Sequence, residues 1–268
     1  MHAPALDVFT ESSTNIHGAI SHGTPIPANL PAALSVLTMK IELALFDLAG
    51  TTVKDNKDVH RVLQSALAHH EVSISIEDAN AVMGIPKPVA IRTLLEQRYS
   101  GASKVTDAWI DEIHRLFVAE MIRFYEADPG VGEKEGVSET FRALRALGIK
   151  VAVDTGFDRP ITTPLLRRLG WIENGLIDAS VTSDEVPRGR PYPDLALRAM
   201  SLTGVTHAQA VAKIGDTISD LEEGNAAGCG LVIGVTTGAF TQEELSQNKH
   251  SFLIEQIPQV LDLIKNHQ

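Results

Sequence analysis

The sequence predicts an α/β fold, a doubly wound parallel sheet with an inserted all-helical domain. Short apolar runs of four to six residues recur along the chain without polar alternation, which is typical of strands covered on both faces. Segments with helical apolar spacing lie between most of these runs, and this order favours a doubly wound sheet. The segment 53–128 breaks the order because it has helical patterns and no strong strand. We therefore expect it to be an insertion that rests on the carboxyl edge of the sheet.

The individual elements follow from the same patterns. The strongest strand patterns are residues 41–46, 149–153, 211–214 and 231–235, with weaker ones at 179–182 and 251–254. Helical patterns of the sheet region cover 137–147, 161–169, 194–202 and 219–227, and those of the insertion cover 58–70, 76–83, 88–99 and 106–126. They divide the chain into a poorly ordered extension (1–39), a sheet domain (40–52 and 129–268) and a helical cap domain (53–128).

The composition argues against several classes of protein. The chain has 23 Lys and Arg against 34 Asp and Glu, a formal net charge of −11, whereas nucleic acids and anionic membranes require a basic face. Cys229 is the only cysteine, which excludes an internal disulfide and a cysteine-rich zinc site and fits a reduced, cytoplasmic setting. No apolar segment is long enough to span a bilayer, and the first lysine or arginine is Lys40, which does not fit a secretory signal.

Polar residues follow the carboxyl ends of the predicted strands. In open α/β sheets, ligands bind beyond these ends. The positions in question are Asp47, Thr155, Gly156, Arg190, Asp216 and Asp220. Three buried carboxylates would repel one another without a cation, and their hard oxygen ligands suit Mg²⁺. Thr155 and the Gly156 N–H could bind phosphoryl oxygens, and Arg190 could neutralise their charge. Beside the metal, Asp47 would stay ionised and could attack phosphorus.

The same residues also have ordinary structural interpretations. A lone aspartate at a strand end usually caps a helix or a turn, and this interpretation is strongest for Asp220, which could also orient Asp216. Arg190 could form an ordinary ion pair. His60 and His114 have no acidic partners at ligand spacing in the sequence.

Taken in order along residues 41–268, these motifs resemble the haloacid dehalogenase-like (HAD) hydrolase superfamily, including the position of the helical cap. The resemblance implies a Rossmann-like core in which Asp47 is the nucleophile. It implies that Asp47, the Ala49 carbonyl and Asp216 hold Mg²⁺, with Asp220 supporting the metal through water. Thr155 and Arg190 would bind the phosphoryl group of a small substrate.

One branch of the superfamily, the phosphonoacetaldehyde hydrolases, breaks a carbon–phosphorus bond. The chain resembles this branch over longer segments, namely 47–53, 184–193 and 213–220. Ala49 replaces the aspartate that serves most phosphatases of the superfamily as general acid. Met83-Gly84-Ile85-Pro86-Lys87 matches the branch's Met-Gly-x-x-Lys, which implies that Lys87 forms a Schiff base with the substrate aldehyde. Its pKa would then have to fall from about 10.4 toward neutrality, because only a neutral amine attacks a carbonyl.

Other substrate contacts are expected from Gly156, Met83, Gly84 and Thr51. The chain departs from the branch at two positions. Ala90 stands where the branch has a histidine that assists proton transfer, and Phe157 stands where the branch usually has a tyrosine. Dimerisation through cap helices is a further expectation from the resemblance.

Two other functions remain open at this point. In the first, the chain is a phosphomonoesterase or phosphoryl-transfer enzyme whose Lys87 only binds substrate. In the second, it is a non-catalytic sensor of a phosphorylated ligand, although a sensor would not need the nucleophile Asp47. Lys87 could also be a solvated surface residue.

Overall fold

The computed structural model describes residues 39–98 and 104–267, so the predicted extension 1–39 lies almost entirely outside the described residues. The described residues form a six-stranded sheet in the order β3-β2-β1-β4-β5-β6, and every neighbouring pair is parallel. The strands are β1 Leu43–Asp47, β2 Lys150–Thr155, β3 Ala179–Thr182, β4 Val211–Gly215, β5 Leu231–Val235 and β6 Phe252–Ile254. The predicted α/β fold with a parallel sheet is confirmed.

Ten α-helices accompany the sheet within the described ranges. Four lie in the insertion: α1 Asp58–Ala68, α2 Ile76–Asn80, α3 Lys87–Arg98 and α4 Asp107–Ala127. The others are α5 Val137–Ala146, α6 Arg159–Leu169, α7 Asp194–Thr203, α8 Ile218–Ala227, α9 Gln242–Ser246 and α10 Gln259–His267. No helix in the described part of the chain is long and apolar enough to cross a lipid bilayer.

Strand β1 shows why the apolar runs lack alternation. Leu43 and Leu45 belong to the hydrophobic cluster that includes the buried residues of α7. Phe46 points to the opposite face, where its ring centroid lies 5.0 Å from that of Phe141 on α5. Because successive side chains of a strand point to opposite faces, both sets must be apolar when helices cover both sides.

The insertion packs on itself and on the sheet domain. Helix α4 contacts α1 and α3 within the insertion, and it also contacts α6, which follows β2. Its buried side chains include Phe117 and Tyr125, whose rings approach Phe157 at the end of β2. The insertion therefore closes over the carboxyl ends of the strands. The division into a cap at 53–128 and a core stays a prediction.

Most predicted boundaries agree with the observed elements to within two residues, and one larger difference has a clear cause. The helix predicted at 76–83 ends at Asn80, because the following residues form turns that lead into Gly84 with φ +84°. The short α9 and the amphipathic α10 were not predicted. The available signal for α10 was the spacing of Val260 and Ile264, two apolar residues one helical turn apart. The structure shows that both are fully buried.

Candidate active site

A small pocket lies at the carboxyl ends of the central strands, beneath the insertion. The sheet domain contributes Asp47, Ala49, Thr155, Gly156, Arg190 and Asp216, and the insertion contributes Asp55, His60, Met83, Gly84 and Lys87. The cavity has a volume of about 30 Å³, room for roughly two water molecules. The structure thus brings together most of the residues that the sequence indicated. Thr51 and Asp220, which were also expected at the site, do not line this pocket.

Asp47 is the last residue of β1 and is 5% exposed. Its Oδ1 accepts a hydrogen bond from Arg190 Nη1 at 2.7 Å, and its backbone carbonyl accepts one from the Thr52 hydroxyl at 2.7 Å. Burial raises the pKa of Asp47 well above its usual value, the neighbouring carboxylates add to this rise, and Arg190 opposes it. The carboxylate is therefore held in place at the pocket floor by Arg190, in buried surroundings that disfavour its charge.

Asp216 is oriented by two donors. The Thr51 hydroxyl donates to its Oδ1 at 2.7 Å and the Ala239 N–H donates to its Oδ2 at 2.6 Å. A Cβ on Gly50, which has φ +90°, would lie 2.3 Å from Asp216 Oδ2, so a side chain there would displace the carboxylate. Thr51 itself is fully buried. It orients Asp216, and the expected substrate contact of Thr51 does not fit this position.

Three carboxylates converge where a metal was expected. One oxygen each of Asp47, Asp216 and Asp220 lies within 4.8 Å of the others, and all three residues are buried. Burial, with the charge of Asp220, raises the pKa of Asp216 to about 6. A divalent cation would relieve this repulsion, and a set of hard oxygen donors fits Mg²⁺. Ala49, whose carbonyl was the other expected ligand, lines the same pocket.

Arg190 is committed to carboxylates. Its side chain is fully buried, Nε donates to Glu223 at 2.8 Å, and the two Nη atoms donate to Asp47 and Asp154. Asp220 Oδ1 lies 3.1 Å from Nη1. The ion-pair interpretation of Arg190 is therefore correct. Its predicted role in phosphoryl binding stays a prediction, although the residue does line the pocket.

Lys213 on β4 is a site residue that the sequence interpretation missed. Its Nζ lies 2.6 Å from Asp154, 3.0 Å from Asp220 and 3.2 Å from Glu223. Burial opposes its charge, but the three carboxylates prevail and hold its pKa above the usual value. A lysine inside an otherwise apolar strand was the signal, because a buried cation requires buried counter-charges.

Asp220 also closes the capping box of α8 by accepting a hydrogen bond from the Thr217 N–H, so its predicted capping role is real.

Replacing Lys213 with methionine is expected to destabilise the fold by about 3–5 kcal/mol, because it leaves buried carboxylates without their cation. The free energy of unfolding from urea titration measures this. Lys150→Met is the matched control, since that side chain is 51% exposed at the start of β2 and should change stability by less than about 0.5 kcal/mol. Equal stabilities of the two variants would contradict the importance of the buried network.

Lys87 opens α3 and is 4% exposed, so the solvated-surface interpretation is wrong. Its Nζ lies 5.4 Å from the ring centroid of Phe157 and 5.9 Å from that of Phe117. Burial, assisted by Arg190 and opposed by Asp47, lowers the pKa of Lys87 to about 8. About one amine in ten would then be neutral at pH 7, against roughly one in 3,000 for an unperturbed lysine. The insertion therefore presents a nucleophilic amine to a pocket that also contains Asp47.

Comparison with known proteins identifies the family. The family model of the haloacid dehalogenase-like hydrolases matches residues 41–228. The chain belongs to this superfamily. A phosphonoacetaldehyde hydrolase of Bacillus cereus is 32% identical over 230 residues, covering 82% of this chain and 86% of that protein. Another, from Bacillus thuringiensis (strain Al Hakam), is 30% identical over 235 residues with the same coverage. The resemblance to the phosphonoacetaldehyde hydrolase branch is thereby confirmed.

Solved structures show the same HAD fold. A phosphonoacetaldehyde hydrolase-like protein from Oleispira antarctica superposes with a TM-score of 0.71 at 23% identity, covering 86% of this chain and 93% of that one. A putative β-phosphoglucomutase from Bacteroides vulgatus gives 0.74 at 20% identity, with coverages of 86% and 91%. At these identities the likeness concerns the fold alone.

In this HAD hydrolase the insertion touches the sheet domain through the loop before Lys87. Gly84 has φ +84°, and a Cβ there would lie 2.3 Å from Ser219 Oγ and 2.4 Å from Thr217 Oγ1. On the facing side, a Cβ on Gly156 would lie 2.6 Å from the Gly84 carbonyl oxygen. Gly84 lies directly against two side-chain hydroxyl groups and Gly156 against the Gly84 carbonyl group, so a side chain at either glycine would force its neighbours to move.

Gly84→Ala is expected to lower kcat/KM by about tenfold or more, because the added methyl group opposes closure of the insertion. Gly204→Ala is the matched control: Gly204 has φ +76°, and a methyl group there would meet no atom within 4 Å. Both variants carry similar backbone strain of about 1–2 kcal/mol. Equal losses of kcat/KM would show that strain, and not closure, is responsible.

Asp55 and His60 line the pocket and were not predicted as site residues. His60 is 1% exposed, and its Nδ1 lies 4.0 Å from Asp55 Oδ2. His114 likewise has a carboxylate nearby, with its Nε2 3.5 Å from Asp158 Oδ2. Both histidines thus have acidic neighbours that sequence spacing did not indicate. Only folding of the insertion onto the sheet domain brings His114 and Asp158 together.

Proposed function

We propose that this HAD hydrolase is Mg²⁺-dependent and cleaves the carbon–phosphorus bond of a small phosphonate aldehyde such as phosphonoacetaldehyde. One observation carries the proposal: a buried lysine whose pKa is lowered to about 8 lines the same small pocket as the candidate nucleophile. Phosphate-ester hydrolysis does not require such an amine. An aldehyde substrate does, because the amine must be neutral to form an imine.

Each residue then has a distinct role. Lys87 attacks the aldehyde, and the resulting protonated imine accepts the electron pair of the carbon–phosphorus bond as that bond breaks. Asp47 takes the phosphoryl group, and water later cleaves the aspartyl-phosphate. The organic fragment remains on Lys87 as an enamine, which is protonated at carbon and then hydrolysed by water to release the aldehyde and the free amine. Because no alkoxide departs, no general acid is required at the position of Ala49, which explains the alanine there.

The remaining polar groups bind the phosphoryl oxygens. Thr155 Oγ1 accepts a hydrogen bond from the Phe157 N–H at 3.1 Å, which leaves its own hydrogen free to donate into the pocket. The Gly156 N–H is a second candidate donor. Bound Mg²⁺, held by Asp47, Asp216 and the Ala49 carbonyl with Asp220 behind, would offset the negative charge of carboxylates and phosphoryl group.

The test is to incubate the enzyme with phosphonoacetaldehyde, Mg²⁺ and borohydride, and to map any adduct by mass spectrometry. The proposal expects a reduced adduct on Lys87 that forms only when borohydride is present, and phosphate release that stops when EDTA removes the metal. Lys249→Met, a change at an exposed position, should leave both readouts unchanged.

The second candidate is a phosphomonoesterase in which Lys87 only binds substrate. It is favoured by Ala90, which is fully buried and offers no imidazole beside the lysine. Phosphate release from simple esters without any adduct would support this candidate. A protein that binds these ligands and releases phosphate from none would instead be a sensor.

A further inference from the structure

His60 is a buried histidine in the pocket wall with one ring nitrogen unpaired. It lies in the first turn of α1, is 1% exposed, and lines the cavity together with Lys87. Its Nδ1 has no hydrogen-bond partner among the described residues. A buried polar atom without a partner is unfavourable in a folded protein, and a catalytic role is one reason for which such atoms are retained.

The surrounding hydrogen bonds fix the tautomer of His60. The Lys57 ammonium donates to Asn80 Oδ1 at 2.8 Å, and since an ammonium has no lone pair, the amide atom facing it must be the oxygen. His60 Nε2 lies 2.9 Å from the same oxygen and must therefore carry the hydrogen. In the neutral ring Nδ1 is then a free base with an available lone pair.

The groups around the ring favour a neutral His60 that can accept a proton. Burial lowers its pKa from the usual value, as do the charges of Lys57 and Lys87, while the Asn80 hydrogen bond and Asp55 oppose this effect. Asp55 Oδ2 lies 4.0 Å from Nδ1, too far for a hydrogen bond but close enough to stabilise an imidazolium. Asp55 is itself held by the start of α1, because its Oδ1 accepts from the Asp58 N–H at 2.7 Å.

We infer that His60 Nδ1 is the general acid–base that exchanges protons with Lys87 during imine formation, the task that Ala90 cannot perform. This inference rests on the proposed function. His60 takes one proton from the Lys87 ammonium, and the neutral amine adds to the aldehyde carbon. In the adduct, one proton moves from nitrogen to oxygen. The His60 imidazolium then returns its proton to the hydroxyl group, which leaves as water, so that a protonated imine and a neutral histidine remain.

The size of the cavity suits this exchange. With room for roughly two water molecules, the pocket allows proton transfer directly or through one water. Among the described residues, His114 is the other histidine whose pKa is lowered by the charge of Lys87, but it does not line the cavity and it faces Asp158. Asp47 lines the cavity but is required as the nucleophile.

The experiment measures the rate at which phosphonoacetaldehyde and borohydride label Lys87 in the full chain. His60→Gln is expected to slow labelling by about 100-fold or more. In His60→Ala, free imidazole should restore part of the rate in proportion to its concentration, which a purely structural role would not allow. His69→Gln, at an exposed position just after the same helix, is the matched control and should label like the wild type.

The outcomes separate this inference from the proposed function. Labelling of folded His60→Gln at the wild-type rate would overturn the role of His60 and leave the Schiff base intact. Absence of any Lys87 adduct in the wild type would overturn the proposed function and this inference with it. If the variants do not fold, ¹⁵N NMR of the wild-type protein decides: the Nε2–H tautomer supports the inference, and the Nδ1–H tautomer overturns it.

Discussion

Replacing Asp47 with asparagine is expected to lower phosphate release by about 10⁴-fold or more without unfolding the protein. The amide keeps the shape of the carboxylate but cannot attack phosphorus. Because burial raises the pKa of Asp47, its ionised form destabilises the metal-free protein above the usual aspartate pKa. Removing the charge should therefore leave the free energy of unfolding at neutral pH equal or higher. Arg190 keeps its other carboxylate partners in this variant.

Steady-state phosphate release and acid-quench mass spectrometry check this expectation. The wild type should carry a phosphoryl group on Asp47 during turnover, and the variant should carry none. Asp262→Asn, an exposed change on α10, is the matched control and should retain full activity. A phosphoryl group found on another residue, or substantial turnover by Asp47→Asn, would contradict the nucleophilic role.

Replacing Lys87 with methionine is expected to abolish adduct formation and at the same time to stabilise the protein by about 3 kcal/mol at pH 7. The pKa of Lys87 is about 8 in the folded protein against 10.5 for an unperturbed lysine, and each unit corresponds to about 1.4 kcal/mol. For a base with a lowered pKa, the unfolded state binds more protons between these two values. The instability is therefore greatest below pH 8 and disappears as the pH rises to about 10.5.

Urea titrations of wild type and Lys87→Met at several pH values measure this difference. We expect the gap between them to be widest below pH 8 and to close above about pH 10.5. Lys249→Met should show no such pH-dependent gain, since its side chain is exposed. A Lys87→Met protein no more stable than the wild type at pH 7 would mean that the amine is well solvated.

The pH profile of labelling is a related expectation. The rate at which an aldehyde and borohydride label Lys87 should rise through a midpoint of about pH 8 and then level off. A midpoint near 10.5 would show that the pocket does not perturb the amine.

The convergence of Asp47, Thr155 and Asp216 could be predicted from sequence for a physical reason. Each lies at the end of a buried strand or directly after it, and in a parallel sheet the carboxyl ends of neighbouring strands meet at one edge. Lys213 could not be interpreted in the same way, because its counter-charges come from β2 and α8. A pattern along one strand shows that a cation is buried and does not show what neutralises it.

The insertion side of the pocket was harder to predict. His60 occupies an ordinary position on an amphipathic helix, and only the folded structure shows that it lines the same pocket as Lys87. Thr51 shows the opposite difficulty, because it lies only two residues after Ala49 in the sequence and yet does not line the pocket. The turn at Gly50, with φ +90°, directs the threonine hydroxyl behind the pocket to Asp216.

The tight fit of the insertion over a cavity of about 30 Å³ has a practical consequence for studying the enzyme. A ligand of substrate size exceeds this volume, so it binds beside Lys87 only when the insertion shifts to make room. Movement of the insertion therefore sets an upper limit on the rate of covalent modification of this amine, and slow chemistry, as expected for His60→Gln or at low pH, keeps the rate below that limit. Crystals grown in the closed state should accordingly resist soaking, and ligands should be introduced before crystallisation.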